Sequence, residues 1–376
     1  MQNRFNYGSE IAFTGLPRQY QQLKQELFDS TDKVLSSGQV LDGPFTEEFE
    51  KQIASRCDRR YAIAVNSCTQ ALIFAQGALN VHGKVLIPVQ SFIATLNSVV
   101  MAGNEPVFCD VDDSAMMDVH SFDTALGAAG ISAVMYVNLF GNILDYHQLK
   151  LACAFFNPKN NIAIIEDAAQ SFGATYKGIP SGKLGDISVL SFDPTKNLPN
   201  YGSGGMILTD DPYVAELCYD LRDNGKLSDH TIPGTNSKMS EVDCSHMLIK
   251  LKYFNKWQAR RHEIADFYTR HLSEYVDPIL PNADVEHAWH KYVIRVNGRH
   301  NLQMYLSNLG ITTKVHYEKT LPESELGYEY YNYTSDVYRV GTAHGREALS
   351  LPMYPELTDA EVETVVEAIV DYYVGD

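Results

Sequence analysis

The chain has 376 residues, 45% of them hydrophobic and 20% charged, a globular composition with length for one large domain and a smaller one. Thirty Lys and Arg stand against 47 Asp and Glu, and the net charge of −17 argues against nucleic acid as a generic partner. Six cysteines (57, 68, 109, 153, 218 and 244) include no C-x-x-C pair, so no metal site or compact disulfide framework is expected.

The N-terminus "MQNRFNYGSEIAFTG" lacks a basic segment followed by an apolar core, and a reduced, cytoplasmic protein is the expectation. The uncharged runs 85–104 and 124–144 are interrupted by polar residues and glycines, which would be costly in lipid. No membrane partner is expected.

Short β-branched runs alternate with helical patterns. "YAIAV" (61–65) precedes the helical "TQALIFAQGAL", and "KVLIP" (84–88) precedes "FIATLNSVVMAG". "PVFCDV" (106–111), "SAVMYVNLF" (132–140), a helical stretch near 143–156 and "NIAIIED" (161–167) follow. This order predicts a mostly parallel sheet covered on both faces. "ISVLSF" (187–192) and "GGMILTD" (204–210) have no helix between them, which suggests an antiparallel strand. A long helix over 240–271 leads to "KYVIRV" (291–296), "ITTKVHY" (311–317) and a closing helix over 358–373. Thr358 and Glu361 have the spacing of a capping box for that last helix. The division expected is 1–250 for a large α/β domain and 251–376 for a small α+β domain.

Ligands of such sheets bind beyond the carboxyl ends of the strands. Three ends carry unusual residues. "VNSCTQAL" (65–72) leads a polar turn into a helix N-terminus, where free N–H groups favour a phosphate. "IIEDAAQSFGA" (164–174) ends an apolar strand in Glu166 and Asp167, although Asp is also a common turn former. "SFDPTKNLPNYGSGG" (191–205) sets Lys196 between a proline and a glycine-rich turn. Singly, each has an ordinary reading as a cap, a turn or a surface lysine. Together they fit pyridoxal phosphate, which needs an anion cradle, a Schiff-base lysine and a carboxylate on its pyridine nitrogen. Asp167 and Lys196 are 29 positions apart, room for an excursion and one more strand. Phe92, in "PVQSF", could lie against the ring or simply pack in the core.

"NSCTQAL", "EDAAQSFGA", "SFDPTKNLPNYGSGG", "VHY" and "LSLPMYPELTDAEV" resemble the motifs of the DegT/DnrJ/EryC1/StrS sugar aminotransferases, in order from about residue 43 to the C-terminus. The resemblance implies a pyridoxal-phosphate enzyme of the aspartate-aminotransferase-like fold (fold type I). It implies that Lys196 is the Schiff-base lysine, that Asp167 holds the pyridine nitrogen and that Gln170 lies near the ring's 3-hydroxyl. Cys68, Thr69 and Ser191 would meet the phosphate, and Phe92 would stack on the ring. Asn236, in "PGTNSKMSEVDCS", would reach the phosphate of the neighbouring subunit of a homodimer. His316 and Tyr317 would lie close to the sugar. The implied reaction moves an amino group from glutamate to a nucleotide-linked keto-sugar, a 6-deoxyhexose on dTDP or UDP, in amino-sugar synthesis such as that of lipopolysaccharide O-antigen.

Several positions depart from the family pattern: Cys68 for glycine, Asp193 for an aromatic or histidine, Asn224 for histidine, and Ser237–Lys238 for Tyr–Arg. Two other readings compete. A silent regulatory or structural homologue would be expected to lose Lys196 or Asp167, and both are present. A nicotinamide oxidoreductase would need G-x-G-x-x-G after an early strand, and "NSCTQAL" lacks it. A related dehydratase branch replaces the lysine with histidine, and Lys196 argues against it.

Overall fold

The computed structural model describes residues 10–156, 162–330 and 337–375. Its strands begin with β1 Tyr61–Val65, β2 Lys84–Pro88, β3 Glu105–Cys109, β4 Ile131–Val137 and β5 Ala163–Asp167. A hairpin of β6 Thr175–Tyr176 and β7 Ile179–Pro180 leads to β8 Ile187–Ser191 and β9 Gly205–Thr209. The later strands are β10 Asp277–Pro278, β11 Val285–Glu286, β12 Tyr292–Arg295 and β13 Ala348–Leu351. Helices α1 Leu16–Ser37 and α2 Pro44–Arg56 precede the sheet, and α3 Cys68–Ala78, α4 Ala94–Met101, α5 Val119–Ala129 and α6 Tyr146–Phe156 fall between its strands. After β9 come α7 Pro212–Arg222, α8 Glu241–Leu272, α9 Arg299–Asn308, α10 Glu325–Tyr330, α11 Arg339–Glu347 and α12 Asp359–Val374.

The main sheet has the order β1-β9-β8-β5-β4-β2-β3. Neighbours from β8 to β3 run parallel, as expected where helices return the chain. β9 follows β8 without a helix and lies antiparallel to both β8 and β1. The carboxyl ends of β1, β5 and β8 therefore share one edge. Ile63, Val65, Ile165, Val189 and Ile207 face α3 and its neighbours, whereas Ala62, Ala64, Leu190, Met206 and Leu208 face the layer of α2 and α8. Burial on both faces explains why these strands read as continuous apolar runs.

Ser240 caps α8 by accepting from the Asp243 N–H at 3.0 Å. The buried Glu241 in turn accepts from the N–H groups of Gly43, Phe45 and Thr46, satisfying the start of α2, whose own N-cap is a glycine. The first half of α8 packs with α1 and α2; its second half, through Ile264, Tyr268 and Leu272, packs against Tyr292, Val365 and Ile369. The capping box at Thr358 and Glu361 forms.

The segment 311–317 departs from expectation. It makes isolated bridges at Ile311 to Ile11 and at Lys314 to Ser350, and no strand. Its alternation resembles a strand, but it pairs with the open edge of β13 at Lys314 alone and then turns towards the main sheet, where Tyr317 meets Gln90 and Gln170.

Candidate active site

At the tip of β5 two adjacent acids point to opposite faces, as strand geometry requires. Glu166 is fully buried and accepts from Asn138 Nδ2, Ser181 Oγ, Ser188 Oγ and the N–H groups of Gly182 and Leu184, all within 3.1 Å. It fastens the excursion between β5 and β8. Asp167 is also buried, yet among the described residues it accepts only from the Ala169 N–H at 3.1 Å and from Thr95 Oγ1 at 3.3 Å. Burial raises its pKa; the Ala169 N–H, the Lys196 charge and the Thr95 hydroxyl oppose that shift.

The end of β1 turns into α3 through Ser67, whose hydroxyl accepts from the Gln70 N–H at 3.2 Å. Cys68 and Thr69 open the helix, so their N–H groups have no acceptor within it and are free for an anion. Gly205 makes this approach possible. A Cβ there would lie 2.6 Å from the Ser67 carbonyl carbon and 2.7 Å from Cys68 N. Ser191 is Gly205's partner across β8 and β9, and its hydroxyl accepts from the Asp193 N–H at 3.3 Å.

Lys196 follows β8 in a turn closed by its own N–H on the Asp193 carbonyl at 2.9 Å. The residue as a whole is partly exposed, but its amine sits in desolvated surroundings that lower its pKa, against the pull of Cys68, Asp167 and Asp193. Burial raises the Cys68 thiol, and Asp167 adds to that; this cysteine is a small neutral neighbour of the lysine.

Gln170 is held in place by accepting from the Phe140 N–H at 2.9 Å and donates to the Tyr317 hydroxyl at 3.2 Å. Phe92 is 53% exposed, unlike the core phenylalanines, and its ring centroid lies 5.9 Å from that of Tyr317. Gln90 donates to the Tyr317 carbonyl at 3.0 Å. His316 pairs with Ser350 Oγ at 2.8 Å; burial, then Lys291, Lys314 and Lys196, push its pKa down to about 3. The loop holding Asn236 is stitched to the end of β1, with Asn66 N–H donating to the Ser237 carbonyl at 2.7 Å. Asn236 itself is exposed and its side chain bonds to no described residue. Lys238 is neutralised by Asp42 and Asp223, each at 2.9 Å.

Thus Asp167, Lys196, Cys68, Gln170, Tyr317, Phe92 and His316 converge on one edge of the sheet, while Asn236 faces outward. Thr95 and Gly205 belong to the site and were not singled out from the sequence. A threonine three residues past "SF" carries no distinguishing pattern, and the "GSGG" run read only as a glycine-rich turn, without showing which glycine lies against the start of α3.

The profile of the DegT/DnrJ/EryC1/StrS aminotransferase family matches residues 21–370. The chain belongs to this family. It is 33% identical over 375 residues to the pleiotropic regulatory protein of Geobacillus stearothermophilus, with 96% of this chain and 98% of that one covered. It is 31% identical over 368 residues to the dTDP-3-amino-3,6-dideoxy-alpha-D-galactopyranose transaminase of Aneurinibacillus thermoaerophilus, covering 96% and 99%. The crystal structure of NtdA from Bacillus subtilis with bound cofactor PMP superposes with a TM-score of 0.89 at 26% identity, covering 100% of this chain and 87% of that one. The protein is an aminotransferase of the α/β fold expected, and pyridoxal phosphate is its cofactor.

The geometry of this aminotransferase fits that group. Cys68 and Thr69 offer N–H donors at a helix start that Gly205 leaves uncrowded, Asp167 is a buried carboxylate with few donors, and Phe92 leaves a ring face open. Bound there, pyridoxal phosphate supplies an electron sink for the charge left on carbon when a proton is removed.

Proposed function

We propose that this aminotransferase moves an amino group from glutamate to a keto-sugar linked to dTDP or UDP, a 6-deoxyhexose. The observation that carries the reading is the meeting of Lys196, Asp167 and the start of α3 at one sheet edge. The sugar class is supported by the dTDP-amino-sugar transaminase among its relatives. In this reading Lys196 carries the cofactor and then moves a proton between the amino-bearing carbon and the cofactor carbon, work suited to a desolvated lysine. Asp167 keeps the pyridine nitrogen protonated, and Gln170 lies by the ring. Cys68, Thr69 and Ser191 hold the phosphate, and Phe92 covers the ring. His316 and Tyr317, on the 251–376 domain, face the sugar across the 1–250 domain. Asn236 serves the partner's phosphate in a homodimer, which its outward position suits.

Two measurements test this. Nucleotide keto-sugars incubated with glutamate and the holoenzyme should give a product heavier than the ketone by about one mass unit, the exchange of oxygen for NH and two hydrogens. No aminated product from any dTDP or UDP keto-sugar would refute the substrate class. Separately, Lys196→Ala and Asn236→Asp are each expected to be inactive. After subunit exchange about half the dimers are mixed, each with one intact site, so about a quarter of wild-type activity should return. Persistent inactivity despite demonstrated exchange would refute the shared site.

A further inference from the structure

Among the described residues five Lys or Arg side chains are buried: Arg59, Arg222, Lys250, Arg261 and Lys291. Four are satisfied. Arg59 donates to the Gly182 and Gly185 carbonyls, Arg222 to Glu50, Lys250 to the Pro199 carbonyl, and Arg261 to the Trp289 and Met353 carbonyls. Lys291 is different. Only 7% of it is exposed, and its ammonium has neither hydrogen bond nor ion pair among the described residues.

That ammonium lies 4.9 Å from the centre of the Phe13 ring, in a cleft shared with Pro194, Lys196, Arg261 and Glu356. The Lys314 ammonium approaches the same ring at 5.3 Å, and the His316 ring stacks on it at 5.8 Å. Neither nearby acid forms an ion pair with Lys291, and each makes a contact of its own. Asp193 accepts from the N–H and hydroxyl of Thr195 at 3.0 and 2.7 Å, and Glu356 accepts from Gln19 at 3.2 Å. An amine held largely out of water, with an aromatic face beside it but no hydrogen-bond acceptor among the described residues, gains from an incoming anion. Its place beside Lys196 puts that anion on the molecule undergoing transamination, not on the phosphate held at the start of α3.

We propose that Lys291 anchors a carboxylate of the molecule that reacts at Lys196, with Lys314 drawing it in from the cleft mouth. This inference rests on the transamination reading above and adds a carboxylate to its ligand. Two sources share that chemistry: the amino donor, and an acidic group on the sugar itself.

The probe is glutarate, a dicarboxylate that cannot be transaminated, titrated calorimetrically into the holoenzyme. Lys291→Met should weaken glutarate at least about 10-fold, Lys291→Arg should restore most of the affinity, and thymidine diphosphate should bind all three alike. Circular dichroism and the visible band of the bound cofactor report whether each variant is folded and loaded; Lys291→Gln replaces the methionine variant if that one is not. Glutarate binding unchanged by loss of the charge would overturn the proposal. Stopped-flow half-reactions separate the sources. A loss with glutamate assigns the donor's carboxylate, and a loss for an acidic keto-sugar but not a neutral one assigns the sugar's. Loss in neither arm would also overturn it. Should wild-type enzyme aminate no sugar while glutarate still depends on Lys291, the substrate class falls and the carboxylate anchor stands.

Discussion

The two faces of the sheet at the end of β5 treat a buried carboxylate in opposite ways. On one face Glu166 takes hydrogen bonds from five groups and ties together 138, 181–184 and 188. On the other Asp167 takes two, one from its own turn and one from α4. A carboxylate has about four lone-pair sites, so Glu166 is saturated and Asp167 is not. The saturated acid is part of the scaffold. The unsaturated one keeps its charge available for a cation that arrives with the ligand.

The sharpest separation should come from Asp167→Asn. The amide keeps the shape and the acceptor for Ala169 but cannot stabilise a protonated pyridine nitrogen, so kcat should fall about 10²- to 10³-fold with cofactor still bound. Stability should move the other way in the cofactor-free protein. Burial holds the Asp167 pKa above its ordinary 3.8, so the folded state keeps a proton that the unfolded state has released. Stability from this group is therefore lost as pH rises from about 4 through the raised value. The asparagine variant escapes that loss, and its denaturation midpoint should match or exceed wild type, increasingly so towards neutral pH. A variant that is less stable and fully active would reverse the roles assigned to the two faces.

Glu166→Ala should show the complementary pattern. It strands the N–H groups of Gly182 and Leu184 and three side chains, at a cost of about 3 kcal/mol or more in urea unfolding. Whatever fraction folds should retain the cofactor's visible band, because no atom of Glu166 touches the Asp167 face. A normal midpoint with a lost band would make Glu166 part of the site.

Some of this contrast was legible in the sequence. The strands ending at Val65, Asp167 and Ser191 stood out because strands buried on both faces are uninterrupted apolar runs, and the motifs at their ends named Lys196 and Asp167. The division of labour between Glu166 and Asp167 was not legible, since it depends on donors brought back by residues 181–188. Lys291 was hidden for a similar reason. In "HKYVIRV" it looks like a lysine at the exposed start of a strand, and the residues that enclose it, among them Phe13, 278 positions earlier, are distant in sequence. The segment 311–317 misled through its alternation, because a pattern reports which faces differ and not how long a segment stays beside a sheet edge; this one pairs with β13 at Lys314 alone.

The smallest expected effect probes how finely the charge of Asp167 is set. Thr95 is buried and its hydroxyl lies 2.8 Å from Ser91 Oγ and 3.3 Å from Asp167 Oδ2. With its proton committed to the carboxylate, it accepts from Ser91 and forms a two-hydroxyl relay that stabilises the ionised acid. Thr95→Val keeps the volume and removes the donor. A lost hydrogen bond to a charged group is worth about 1.5 kcal/mol or somewhat more, so kcat should drop roughly 10-fold, well short of the asparagine variant. The sign in pH is fixed too. Losing a donor that favours the ionised form raises the Asp167 pKa further, so the acid limb of the pH–rate profile should move to higher pH. Thr95→Ser restores the donor and should return the limb to its wild-type position. A valine variant with a slower rate and an unmoved acid limb would mean that Thr95 only packs there, and that the charge of Asp167 is held by Ala169 and Lys196 alone.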